Sequence, residues 1–221
     1  MTYILNAAKY YVGEPHQVAA WEALWADLSN PAQEKFKRAY SASPEPVKSN
    51  PLQVKYFYQN DNASGTGYRE CYSSSCAMLA AFYGKVSSDD EYNVIRSRFG
   101  DSTNTAAQLS ALEYLGLKAS FHTNGSSDSL RAEIDAGRPV AVGWLHKGSV
   151  SYPSGTGHWS VVIGYTNTSF ILNDPNGEAS LVGGGYSNYT NGAGIQYSYK
   201  NWLPRWEVEG SNTGWYLTCS V

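Results

Sequence analysis

Tyr68-Arg69-Glu70-Cys71-Tyr72-Ser73-Ser74-Ser75-Cys76-Ala77-Met78 is the stretch on which the reading of this chain turns. A polar loop, residues 60–70, gives way at Cys71 to small and apolar residues that run to Phe82 and stop at Gly84. That pattern predicts a helix whose first residue is a thiol. The first N–H groups of a helix have no partner within it, and the helix dipole is positive at that end. A thiolate is favoured there, and the thiolate is the nucleophile. A lone cysteine is more often an inert core residue, so Cys71 gains meaning only from partners elsewhere in the chain. Cys76 lies beside Ala77, Met78 and Leu79 on the apolar run and reads as core, as does Cys219 in a strand pattern near the C-terminus.

The partners lie on either side. Gln59 closes Gln53–Tyr58, an alternating segment that predicts a strand just before the loop. Its amide can donate to an oxyanion beside the Cys71 N–H, although a surface glutamine needs no such explanation. His158 opens the strand His158–Tyr165 after the flexible Ser154-Gly155-Thr156-Gly157. An imidazole at a strand end is free to take a thiol proton. Asp174 follows the strand Ser169–Asn173, joined to the His158 strand by the turn Tyr165-Thr166-Asn167-Thr168. A hairpin of that kind brings the carboxylate beside the imidazole, whose tautomer it can fix. Asp174-Pro175-Asn176-Gly177 is also ordinary turn chemistry, and Asn173 is expected to face the other side of its strand. Of the other histidines, His16 lies in the N-terminal region, His122 ends a short strand, and His146 sits in a Gly/Ser loop able to border a cleft. In chain order the parts are an oxyanion donor, a nucleophile, a base and an orienting carboxylate.

The rest of the pattern is α+β, helices first and antiparallel strands second. Residues 7–40 read as two short helices, the first carrying Val18, Trp21, Leu24, Trp25 and Leu28 and the second starting at Asn30-Pro31. Three prolines and three serines between Ser41 and Pro51 make a linker. The domains are therefore set at 1–50, a small helical region with its linker, and 51–221, the main domain. Helices are expected near 89–98, 104–115 and 127–136, then strands at 139–145, 158–165, 169–173 and 214–220. The Tyr- and Asn-rich tail after Gly177, with Gly183-Gly184-Gly185, reads as loop.

A chain of 221 residues can bury a core without staples, and its three cysteines give no disulfide framework. A net charge of −3 argues against a nucleic-acid backbone as partner. No basic-then-apolar leader opens the sequence and no apolar run reaches the ~20 residues needed to span a membrane, so it is expected to be made and kept in the cytoplasm. Asp61, Asn62, Glu70 and the Asp89-Asp90-Glu91 cluster invite a calcium reading but lack calcium-loop spacing. No metal and no cofactor are expected.

At these residues the chain resembles the papain-like cysteine peptidases of the bacteriocin-processing, double-glycine leader type, in the stand-alone form found in bacteriophages. The matching pieces are Tyr58-Gln59 with Asp61-Asn62, Cys71 with Ala77-Met78-Leu79, Phe99-Gly100-Asp101-Ser102-Thr103, Gly137-Arg138-Pro139-Val140, Gly157-His158-Trp159 and Asn173-Asp174-Pro175. Arg205-Trp206-Glu207 and Gly214-Trp215 match the phage group as well. The resemblance implies helices packed on a C-terminal antiparallel sheet, with Gln59 as oxyanion residue, Cys71 as nucleophile, His158 as base and Asp174 as its orienter. One departure stands out: leader peptidases carry Gly-Pro after the nucleophile, where this chain has Tyr72-Ser73. The expectation is a monomeric phage endolysin cutting peptide bonds of bacterial peptidoglycan, as an endopeptidase of the stem peptide or cross-bridge rather than an amidase of the sugar–peptide bond. It would collect in the host cytoplasm until lysis and then reach the cell wall. The rivals are a peptidase that processes a protein and a silent module that holds cell-wall glycan on its Tyr/Trp surface.

Overall fold

The computed structural model describes residues 15–41 and 51–221, which fall into two compact units. The first holds α1 (Pro15–Asp27) and α2 (Asn30–Ser41), joined where Gln33 Nε2 donates to the Trp25 carbonyl at 2.8 Å. The helix start expected at residues 7–14 and the linker at 42–50 lie outside the described residues.

The second unit carries α3 (Cys71–Phe82), α4 (Asp89–Arg96), α5 (Thr105–Tyr114), β1 (Lys118–Gly125), α6 (Ser127–Asp135), β2 (Val140–Trp144), β3 (His158–Tyr165) and β4 (Ser169–Asn173). They are followed by β5 (Glu178–Ala179), β6 (Tyr186–Asn188), β7 (Ile195–Ser198), α7 (Tyr199–Trp206) and β8 (Gly214–Ser220). Six strands make one antiparallel sheet in the order β1-β8-β2-β3-β4-β7, and β5 pairs with β6. This is an α+β architecture of helices on an antiparallel sheet.

Strand alternation sorts the sheet into two buried faces. Ala141, Val161, Ile163 and Leu217 pack with α3 residues Cys76 to Ala80 and with Tyr92, Ala111 and Leu112. Val140, Val142, Trp144 and Val162 pack on the other side with Leu130 and Ile134 of α6 and with Trp202, Leu203 and Trp206 of α7. Helix α3 is buried all round, which its small residues permit. Ser73 and Ser74 satisfy their hydroxyls against neighbouring helices, through Gln108 Nε2 at 2.9 Å and Asp89 Oδ2 at 3.1 Å.

Three expectations are corrected. The segment Gln53–Tyr58 is extended but joins no ladder. Leu52 N–H donates to the Ile163 carbonyl at 2.8 Å, Asn173 Nδ2 donates to the Val54 carbonyl at 3.1 Å, and Gln59 N–H donates to the Pro175 carbonyl at 2.9 Å. The strand around His122 is longer than expected, Lys118–Gly125, with His122 inside it and stacked on Tyr216. The tail is not loop: β7 closes the sheet beside β4, and α7 covers its far face. Within α7 the Arg205 guanidinium, fully buried, donates to the carbonyls of Leu145, Lys147, Gly148 and Leu181. It thereby fixes the start of the loop that leads to His158.

Candidate active site

The thiol comes from the first turn of α3. The turn Gly67–Arg69 feeds into it, with Glu70 N–H bonded to the Gly67 carbonyl at 2.9 Å and Ser74 N–H bonded to the Glu70 carbonyl at 2.8 Å. As the first helical residue, Cys71 has an N–H without an intrahelical acceptor. Glu70 is buried, and its carboxylate accepts from Asn62 at 2.6 Å, Ser64 at 2.9 Å and Thr66 at 2.8 Å, which ties the loop to the helix start. Asp90 accepts from the Ala63 N–H at 2.8 Å. Among the described residues no group of His, Cys, Asp and Glu is arranged to hold a metal ion.

The imidazole comes from the start of β3. Gly157, at φ +92°, makes the turn into it, a conformation that a side chain would resist. His158 Nε2 is 2.7 Å from Asp174 Oδ1, and both side chains are buried. Cys71 is hydrogen-bonded to the same imidazole, and with Nε2 taken by Asp174 the sulfur falls to Nδ1. Ring edges hold the imidazole in place: Trp144 at 5.3 Å, His146 at 5.5 Å and Tyr186 at 5.6 Å between centroids. Burial alone would depress its pKa; the Asp174 carboxylate and then Cys71 outweigh burial and raise it to about 10. His146 meets the opposite balance, since burial and then the neighbouring His158 push it down to about 4 and keep it neutral.

Asp174 is fully buried and held from several directions. Besides His158, it accepts from Tyr197 Oη at 2.9 Å, from Asn176 N–H at 3.1 Å and from Tyr186 Oη at 3.3 Å. Burial and then the Asp174 charge drive both phenols far above their ordinary pKa, so they stay protonated and act as donors. Asn173 points away, its amide engaged by Val54 and Gly194. Gln59 is also buried. Its Nε2 donates to the Gly67 carbonyl at 2.8 Å, an acceptor that fixes which end of the amide is nitrogen. The second N–H of that amide is left for another acceptor. Gly67 has to be glycine, because a Cβ would strike the Gln59 carbonyl oxygen.

The two elements are clamped by the residues that follow the thiol and the imidazole. Tyr72 and Trp159 stack with centroids 3.7 Å apart and planes 4° from parallel, a contact worth about 0.5–1.5 kcal/mol beyond burial. The structure thus brings together Cys71, His158 and Asp174, while Gln59 is bonded to Gly67 in the loop that precedes Cys71. The sequence carried no motif for Tyr186, Tyr197 or the Tyr72–Trp159 pair; the abundance of tyrosine in the tail was the only signal.

Two outcomes follow from this electrostatics. Tyr197→Phe removes the best donor to Asp174 Oδ2, so it is expected to lower kcat about tenfold and stability by about 1–3 kcal/mol, read by kinetics and urea unfolding. The folded pKa of His158 lies above the ordinary 6.5, so its stabilisation is complete below that pH and is lost as pH rises through about 10. Urea unfolding near pH 6 and near pH 9 is expected to show a loss of about 3 kcal/mol in the wild type and a smaller one in Asp174→Asn.

A thiol hydrogen-bonded to an imidazole, itself bonded to a buried carboxylate, defines the cysteine-peptidase class of site. Residues 51–207 match the model of the Peptidase_C39 like family, which takes in all four candidate residues, and the chain belongs to that family of cysteine peptidases. Among solved structures it is similar to the peptidase domain of Streptococcus ComA, a bi-functional ABC transporter involved in a quorum-sensing pathway. The identity is 19%, covering 76% of this chain and 98% of that one, with a TM-score of 0.49. A putative C39-like peptidase from Bacillus anthracis is 15% identical, covering 77% and 96%, with a TM-score of 0.48. A double-glycine-motif protease from an AMS/PCAT transporter, solved with its leader peptide, is 20% identical, covering 80% and 98%, with a TM-score of 0.45. No curated protein matches the chain. No helix among the described residues is long and apolar enough to cross a membrane.

Proposed function

We propose that the protein hydrolyses peptide bonds in bacterial peptidoglycan as a phage endolysin, with Cys71 as nucleophile. The observation that carries the chemistry is the buried His158–Asp174 bond of 2.7 Å, with Cys71 at the other nitrogen of the imidazole. In this mechanism His158 takes the Cys71 proton and the sulfur attacks the scissile carbonyl carbon. The oxyanion is received by the Cys71 N–H and the free N–H of Gln59. His158 then protonates the departing amine and the peptide C–N bond breaks. A water, deprotonated by His158, releases the acyl group from sulfur. Asp174 keeps the imidazole in one tautomer throughout, and Tyr197 and Tyr186 position Asp174.

The substrate reading rests on the residue after the nucleophile. Tyr72 is buried against Trp159 where leader peptidases carry Gly-Pro, which removes the feature associated with a double-glycine leader. Family membership favours the second reading, removal of such a leader. Purified sacculi incubated with the protein are expected to yield new free amino and carboxyl groups and no new reducing sugar ends, in a Cys71-dependent way. Intact sacculi beside a cleaved double-glycine peptide would transfer the assignment to leader processing.

A further inference from the structure

A cleft of about 340 Å³ opens beside the start of β3, with Gly157 and Trp159, the residues on either side of His158, in its wall. Its size is at the low end for small-molecule pockets, ~300–1,000 Å³, enough for one ring or one side chain and not for a helix. The walls are indoles. Trp159 lies over Gly143, where a Cβ would come within 2.9 Å of its ring. Trp206 is buried and donates its Nε1–H to the Trp215 carbonyl at 2.8 Å. Trp215 is 51% exposed and braced edge-on by Phe121 at 5.9 Å.

The rim is polar without being cationic. Thr156, Thr213 and Glu209 line it, and none of the residues that line the cleft is Lys or Arg. A carboxylate or phosphate has no counter-charge there. An ammonium would leave most of the volume unfilled. A wholly apolar side chain would leave the hydroxyls and the carboxylate without purpose. A neutral pyranose fits each feature: its C–H faces lie against indoles, and its hydroxyls donate to Glu209 and to Thr213, whose own hydrogen goes to the Gly210 carbonyl, and exchange hydrogen bonds with Thr156.

We propose that this cleft is a subsite for one N-acetylated pyranose of the substrate. The inference rests on the peptidoglycan reading of the function, and its test is independent of hydrolysis. Tri-N-acetylchitotriose is titrated against intrinsic tryptophan fluorescence. A saturable change is expected, weakened about tenfold or more in Trp215→Ala, restored to within about threefold in Trp215→Phe, and unaltered in Tyr114→Ala, an exposed aromatic outside the cleft. Trp215 is half exposed, so its truncation leaves the core in place, and circular dichroism checks that it does. Absence of a saturable change would overturn the subsite. So would equal binding by a natively folded Trp215→Ala, or tighter binding of Nα-acetyl-lysine amide than of the sugar. Sugar binding by a protein that leaves sacculi intact would keep the subsite and reject the substrate reading; digestion of sacculi without sugar binding would reject the subsite alone.

Discussion

Cys71→Ala is expected to abolish hydrolysis while leaving the fold intact. The sulfur is the only atom at the site able to form an acyl-enzyme, so its removal deletes the pathway rather than slowing one step. Cys71 is only half buried, and a lost sulfur there leaves no sealed cavity. Cys76, five residues on, reverses both properties. It is fully buried among the residues that join α3 to the sheet, and burial raises its pKa, which keeps the thiol neutral. Cys76→Ser puts a hydroxyl in that core and is expected to lower stability by about 1–3 kcal/mol while the folded fraction keeps its activity. Kinetics and urea unfolding of both variants separate the roles. A folded, inactive Cys76→Ser beside an active Cys71→Ala would exchange the assignments.

His158→Ala is expected to lower kcat by a factor on the order of 10⁴–10⁶, because the same imidazole both takes the thiol proton and returns it to the leaving amine. Asp174→Asn keeps the shape of the site but can donate a hydrogen to Nε2 and disfavour the working tautomer. It also leaves two phenols and one backbone N–H around a neutral amide. A loss of ~10²–10⁴ in kcat is expected, with residual turnover. Complete loss in both variants with native circular dichroism would make Asp174 more than an orienter. Full activity in Asp174→Asn would remove it from the mechanism.

How much of this was legible depended on how local each signal is. The start of α3 at Cys71 and the His158 strand announced themselves, the first by a loop-to-apolar switch and the second by a glycine turn before a β-branched run. Asp174 followed from hairpin logic: on an antiparallel partner, a residue just past Asn173, which faces Val161, shares a side with Ser160 and His158. Gln53–Tyr58 misled because alternation also describes an extended segment pinned by side chains and scattered backbone bonds. The tail misled by composition. Its Tyr, Asn and Gly content suggests turns, yet Tyr199, Trp202, Leu203 and Trp206 sit at helical spacing and form the buried side of α7 despite Pro204. Tyr186 and Tyr197 reach Asp174 only through tertiary folding, and no short-range pattern marks them.

The pairing of Cys71 with His158 is the centre of the account, and alkylation tests it without any substrate. Cys76 and Cys219 are buried, so iodoacetamide added to the folded protein reports on Cys71. Near pH 6 the imidazole beside the sulfur is charged, and His158→Ala removes that charge. The wild type is expected to be alkylated at Cys71 at least about tenfold faster than His158→Ala at that pH. Equal rates in the two proteins would contradict the pairing of Cys71 with His158, and with it the mechanism drawn from this site.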